Sequence, residues 1–177
     1  MRIRLDDVRL EPFSWAESVE VPAGSLEREE LVGLSPISWR GRIAFVDPGF
    51  HLQARARYEQ TLRCDRCLGE YREPVEWELE LLVLEQPESA AGERELSEED
   101  LGVVHAEGGV LETRPLLVEQ LQLNVPMRPL CREDCRGLCP TCGANRNLEG
   151  CECKDESVDP RWAALAELRD HLPEDRD

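Results

Sequence analysis

The sequence is short of positive charge and almost without lysine. Lys154 is the single lysine among 21 cationic residues, which face 38 acidic ones for a formal net charge of -17. Such a chain does not bind nucleic acid through bulk electrostatics, because neutralising phosphates takes a positive surface. An RNA contact would need a local patch or a protein intermediary. No apolar run approaches the length that spans a bilayer, and the N-terminal MRIRLDDVRL carries no apolar signal segment. The cytoplasm is therefore the expected compartment. The three histidines, His51, His105 and His171, match no H-x-x-x-H or H-E spacing, so surface or structural roles are expected of them. A Gly-rich phosphate loop and a G-x-S-x-G elbow are also missing. These absences point away from an enzyme.

Sulfur is what the chain has in quantity. Of its eight cysteines, six lie in LCREDCRGLCPTCGANRNLEGCEC, from Leu130 to Cys153, and two in CDRC at Cys64 and Cys67. In a reducing compartment disulfides are disfavoured, and cysteines two or three apart pair poorly with each other. They make good co-ligands of one ion. Four half-sites result: Cys64/Cys67, Cys131/Cys135, Cys139/Cys142 and Cys151/Cys153. They can be joined in three ways. Local spacing favours Cys139, Cys142, Cys151 and Cys153 as one set, since a short return closes at low entropic cost. That leaves Cys64, Cys67, Cys131 and Cys135 to meet across the domain. Two Zn2+ ions are the expected cofactors, each in a closed sulfur tetrahedron; the spacing does not follow iron-sulfur runs ending in Cys-Pro. Two such ions would take the net charge to about -21.

The fold class expected is α+β: an antiparallel sheet able to curl into a partial barrel, one main helix, a C-terminal zinc-knuckle segment and a short tail helix. Residues 1–62 alternate apolar and polar residues in a strand-like way. Asp47-Pro48-Gly49 signals the turn of a hairpin, with Trp39, Ile43 and Phe45 on one face before it and Phe50 to Leu62 continuing that face after it. Val75, Trp77, Leu79, Leu81 and Val83 alternate with Glu76, Glu78 and Glu80, the period of a half-buried strand. CDRC would sit at the tip between these strands. Residues 85–101 are strongly acidic and read as a solvated loop. Thr113 is a candidate cap and Pro115 a first-turn residue for a helix ending at Pro126, with Leu117 and Leu121 inward. Asp159 and Pro160 would start a short amphipathic tail helix. The domain reading is 1–130 as a β-rich core with helix, 131–155 as the cysteine-rich segment, and 156–177 as linker and tail helix.

Three blocks, TLRCDRCLGEY, LVEQLQLNVPMRPLCREDCRGLCPTCGANRNLEGCEC and DPRWAALAEL, resemble in order and spacing the large ribosomal RNA subunit accumulation (YceD-like) family. They cover roughly the C-terminal two-thirds. The resemblance implies a cytosolic factor, without known catalytic chemistry, that supports synthesis, processing or accumulation of 23S ribosomal RNA. It implies ribosomal precursors or rRNA-processing proteins as partners. Alternation places Arg40, Arg42, Arg55, Arg57 and Arg63 on one face of two adjacent strands. That face is either a solvated surface balanced by nearby glutamates or a contact for RNA phosphate or a ribosomal protein. The competing functional reading is a zinc- or thiol-dependent enzyme acting on RNA or a redox partner.

Overall fold

Strand Gly49–Arg63, 15 residues long, organises the main sheet. The structure is a computed structural model that describes residues 1–85, 102–148, 150–153 and 161. The acidic segment beyond residue 85, the tail helix and His171 lie outside the described residues. In chain order the elements are β1 (Arg2–Arg4), α1 (Leu5–Leu10), β2 (Phe13–Val19), β3 (Leu31–Leu34), β4 (Ile37–Val46), β5 (Gly49–Arg63), β6 (Glu70–Leu84), β7 (Val103–His105), β8 (Val110–Glu112) and α2 (Thr113–Leu123). The main sheet runs β2-β4-β5-β6-β7, with β3 also joined to β5. Among the described residues it does not close into a barrel. A small second sheet pairs β1 with β8. The chain divides into two compact units, Met1–Cys135 and Arg136–Asp177.

The mixed α+β class read from the sequence holds. The strand pairs β2–β4, β3–β5, β4–β5 and β5–β6 are antiparallel, and β6–β7 adds one parallel pair. The β4–β5 hairpin turns at Asp47-Pro48, whose peptide bond is cis, and Gly49 is already the first residue of β5. Along β5, Phe50, Leu52, Ala54, Ala56, Tyr58, Gln60 and Leu62 are buried, the period-2 signature of a sheet with one covered face. Trp39 and Ile43 on β4 and Trp77 and Val83 on β6 share that face.

Helix α2 covers part of it. Leu117, Leu121 and Val125 are buried at helical spacing. Thr113 is the first helical residue, not its cap: the flanking Glu112 is extended, and the Thr113 hydroxyl donates to the Met1 carbonyl at 3.4 Å. At the N-terminus the alternation of Ile3 and Leu5 does not continue as strand. Leu5 opens α1, which buries Leu5 and Val8 one turn apart and carries Asp6 and Asp7 in its first turn, where acids suit the helix dipole. Arg9 at its end binds Glu85 at 2.6 Å and lies over the rings of Phe45 and Phe50. Among the described residues no helix is long and apolar enough to cross a membrane.

Candidate metal centres and the arginine face

β5 and β6 are joined by residues 64–69, so the CDRC knuckle stands at the tip of the longest hairpin. The Cys64 N–H bonds to the Gly69 carbonyl, and the Leu68 N–H returns to the Cys64 carbonyl at 2.9 Å. This tight turn aims both sulfurs the same way. The segment after α2 comes back to the tip through a bond from the Asp65 N–H to the Pro129 carbonyl at 2.9 Å. It delivers Cys131 and Cys135 to the knuckle. Cys64 and Cys135 then stand 3.8 Å apart and Cys67 and Cys131 3.7 Å apart, Sγ to Sγ. All four sulfurs lie within 4.8 Å of one another.

These distances test what the thiols suit. A disulfide needs about 2.05 Å between sulfurs. Four sulfurs held about 2.3 Å from one ion in a tetrahedron stand about 3.8 Å from each other. The geometry is that of a tetrahedral cation site. Cys64, Cys67 and Cys135 are buried, and Tyr71 and Leu130 pack against them.

Protonation points the same way. Burial opposes ionisation of Cys64, but backbone N–H groups of Cys131, Cys67 and Arg66 outweigh it and bring the thiol down to about 6. Burial, reinforced by the neighbouring Cys135, Cys67 and Cys64, pushes Cys131 up to about 12. One thiol gives up its proton readily and its neighbours then resist. A divalent cation removes that conflict by drawing all four into the thiolate form.

The second cluster has the same design within the second unit. Cys139, Cys142, Cys151 and Cys153 bring their sulfurs within 4.8 Å of one another. Its turn repeats the first: the Gly143 N–H bonds to the Cys139 carbonyl at 2.8 Å. The backbone N–H groups of Cys142 and Thr141 lower the Cys139 thiol to about 6, while the side chain of Cys142, burial and Cys139 raise Cys153 to about 12. A bridge between Leu138 and Asn145 closes the turn, and Asn147 ties it to the Arg136 N–H at 2.9 Å. Cys142 is exposed and Cys151 and Cys153 half-buried, so this cluster is the more open of the two.

Arg66 has a role that sequence reasoning missed. Its guanidinium donates to the carbonyls of Glu133 and Cys135 at 3.2 and 3.0 Å, clamping the second half-site onto the first. A sequence offers no signal for a bond to a backbone carbonyl sixty-odd residues away. Arg132 instead meets Asp134 at 3.4 Å, and Arg136 lies in the second unit.

The five arginines of the sheet sit on one face. Arg40 stands opposite Arg55 in the β4–β5 register. Glutamates of β6 answer the β5 arginines: Arg55 pairs with Glu78, and Arg57 with Glu76 at 2.7 Å. His51 meets Glu80 at 2.5 Å, while His105 is exposed at the end of β7. Arg63 lies opposite Glu70 at the end of the strand pair. Arg40 and Arg42 have no acidic partner among the described residues.

A family model described as Large ribosomal RNA subunit accumulation protein YceD matches residues 52–169. The chain belongs to this family. The match begins in β5 and takes in both cysteine clusters. Rv2926c of Mycobacterium tuberculosis is 36% identical over 127 residues, covering 72% of this chain and 59% of that protein. The chain thus spans about three-fifths of the length of the first curated relatives it matches. YlbN of Bacillus subtilis is 25% identical over 93% of this chain and 92% of its own length. Large ribosomal RNA subunit accumulation protein YCED homolog 1, chloroplastic, of Arabidopsis thaliana is 33% identical over 52 residues, 29% of this chain and 16% of that protein. No solved structure matches significantly.

Proposed function

We propose that this protein is a non-enzymatic, zinc-stapled factor that supports synthesis, processing or accumulation of 23S ribosomal RNA and assembly of the large ribosomal subunit. It acts in the cytoplasm through contacts with ribosomal precursors or rRNA-processing proteins. One Zn2+ is held by Cys64, Cys67, Cys131 and Cys135, and a second by Cys139, Cys142, Cys151 and Cys153. The observation that carries the reading is the joining of family membership to two all-sulfur tetrads. Four thiolates complete the shell of a structural zinc, whereas hydrolytic zinc keeps one position for water. Bound there, zinc supplies cross-linking: the first ion ties the β5–β6 tip to the segment after α2. Ribosomal proteins are commonly basic, so an acidic factor suits them electrostatically.

Native mass spectrometry with metal analysis and X-ray absorption tests the metal part. Two zinc ions per chain with sulfur-only coordination are expected; a metal-free, fully folded reduced protein would overturn it. Co-sedimentation with large-subunit precursors at low salt tests the role. Clean separation from the particles and from every processing factor would sink it.

A further inference from the structure

Strand β2 forms one edge of the main sheet. Its residues Phe13–Val19 pair with β4, and among the described residues no strand pairs with its other side. Sheet edges are normally blunted by proline, charged side chains, a bulge or a covering element. FSWAESV has no proline and a single charge, Glu17, and its register with β4 runs unbroken over 7 residues.

The two faces of this edge differ. On the outer face Ser14, Ala16 and Ser18 stand in line with Arg42, Arg40 and Ser38. Small side chains thus lie between the edge and two long cations. Arg40 reaches only the Ser38 hydroxyl, at 3.4 Å, and Arg42 has no partner among the described residues. The acids that might neutralise them are engaged elsewhere, Glu78 by Arg55 and Glu80 by His51. An open groove of about 590 Å³ on this outer face runs from Ala16 past Arg40 and Arg42 to the engaged Glu78 and Glu80 of β6. On the inner face Phe13 is 40% exposed and stacks beside Trp15 with ring centroids 6.5 Å apart.

We propose that the β2 edge receives an extended segment of a partner protein as an added strand, with carboxylates alternating with apolar residues. Strand addition satisfies the open backbone edge, and side chains of an added strand alternate between the two faces. One set then stands beside Ser14 and Ala16, whose small side chains let a carboxylate reach across to Arg40 or Arg42 on β4. The other set falls against Phe13 and Trp15. Glu17, on the inner side, excludes an acid opposite it. RNA would satisfy the arginines but has no peptide ladder to match the strand. The chain's net charge of -17 repels an acidic segment at long range. At physiological salt, charges beyond about 8 Å are largely screened, so the local arginines decide.

The proposal rests on the reading above only in taking the working contact to be with protein. Its test needs no ribosomal particle, so its failure leaves the sedimentation result standing. The full chain is mixed with capped peptides of about eight residues, alternating Glu with Val, Ile or Thr, and with their Lys counterparts. Amide exchange is followed residue by residue. At least one Glu peptide should slow exchange at alternate amides of Phe13–Val19. The double change Arg40→Glu and Arg42→Glu should weaken it about tenfold or more and favour the Lys peptide. Both arginines are exposed, and unchanged protection in β5 checks the fold. No protection at about 1 mM Glu peptide, or an unchanged affinity after the double reversal, overturns the proposal. So does an oligoribonucleotide that binds through Arg40 and Arg42 without protecting β2. So does β2 protection that rises with protein concentration alone, which assigns the edge to a second copy.

Discussion

The Trp15 indole lies across Gly41: a Cβ added at Gly41 would come within 2.3 Å of Trp15 Cη2 and Cζ2. The two residues are directly opposite in the β2–β4 register, and the glycine leaves the space in which the edge tryptophan folds inward toward Trp39, 5.8 Å away. Gly41→Ala should therefore expel or tilt the indole. A loss of about 1–3 kcal/mol is expected from overpacking, read as a lower denaturation midpoint with red-shifted tryptophan emission. An unchanged midpoint would mean that Trp15 has a second resting place.

The two knuckles give a matched comparison. In each, the residue after the second cysteine of the C-x-x-C lies in the left-handed region, Leu68 at φ 57 and Gly143 at φ 74. Glycine takes that conformation freely, while an L side chain is strained there by about 1–2 kcal/mol. Leu68 is 58% exposed, so its removal forfeits little burial. Leu68→Gly should raise stability by about 1 kcal/mol or leave it unchanged. Gly143→Ala meets no atom within 4 Å, so its cost is conformational alone, about 1 kcal/mol. Thermal midpoints and chelator competition on the intact protein separate the two effects.

Arg66 should matter more than an exposed arginine usually does. Arg66→Gln removes both bonds to the Glu133 and Cys135 carbonyls. A loss of about 1–2 kcal/mol is expected, at the low end for charged hydrogen bonds because the side chain is partly solvated. The first metal should exchange with a chelator faster, while the second keeps its rate. Equal acceleration at both sites would show that the clamp is not local.

Burial pushes the Tyr58 phenol from 10.0 up to about 12. The neutral phenol is therefore favoured in the folded state. Tyr58 leaves stability untouched below about pH 10 and lowers it as the pH climbs through 10 toward 12. With Tyr71 changed to Phe, one of the chain's two tyrosines remains. Ultraviolet titration of that variant should show phenolate appearing near pH 12 when folded and near pH 10 in urea. Coincident curves would show that the site admits water.

The sequence reveals most where one period runs long. Strands β5 and β6 have 15 residues each, and the alternation over Phe50–Leu62 and Val75–Val83 is enough to fix both faces and to put Arg55 and Arg57 on the face of Glu78 and Glu76. The split of eight cysteines into two fours was legible because short chain separation favours local closure. Short elements were not legible. Helix α1 has 6 residues and β7 has 3, too few for any period to show, and their state follows from packing of Leu5 and Val8 and from pairing with β6. Thr113 was misplaced by one position: its backbone is already helical, and its N–H and hydroxyl both donate to the Met1 carbonyl, distant in sequence. Bonds of this kind, like those of Arg66, belong to the tertiary fold and leave no local mark.

The separation between cysteine partners carries a consequence for biosynthesis. Cys67 and Cys131 are 64 positions apart, so the first pair of thiols leaves the ribosome long before its complement. Throughout that interval a bare dithiol stands at the end of a forming hairpin, open to stray soft metals or oxidants. The later four thiols emerge almost together and can be captured at once. The order of emergence is thus the reverse of the order of easy closure, and with zinc as the proposed cross-link the half that appears first is the one that waits longest for it.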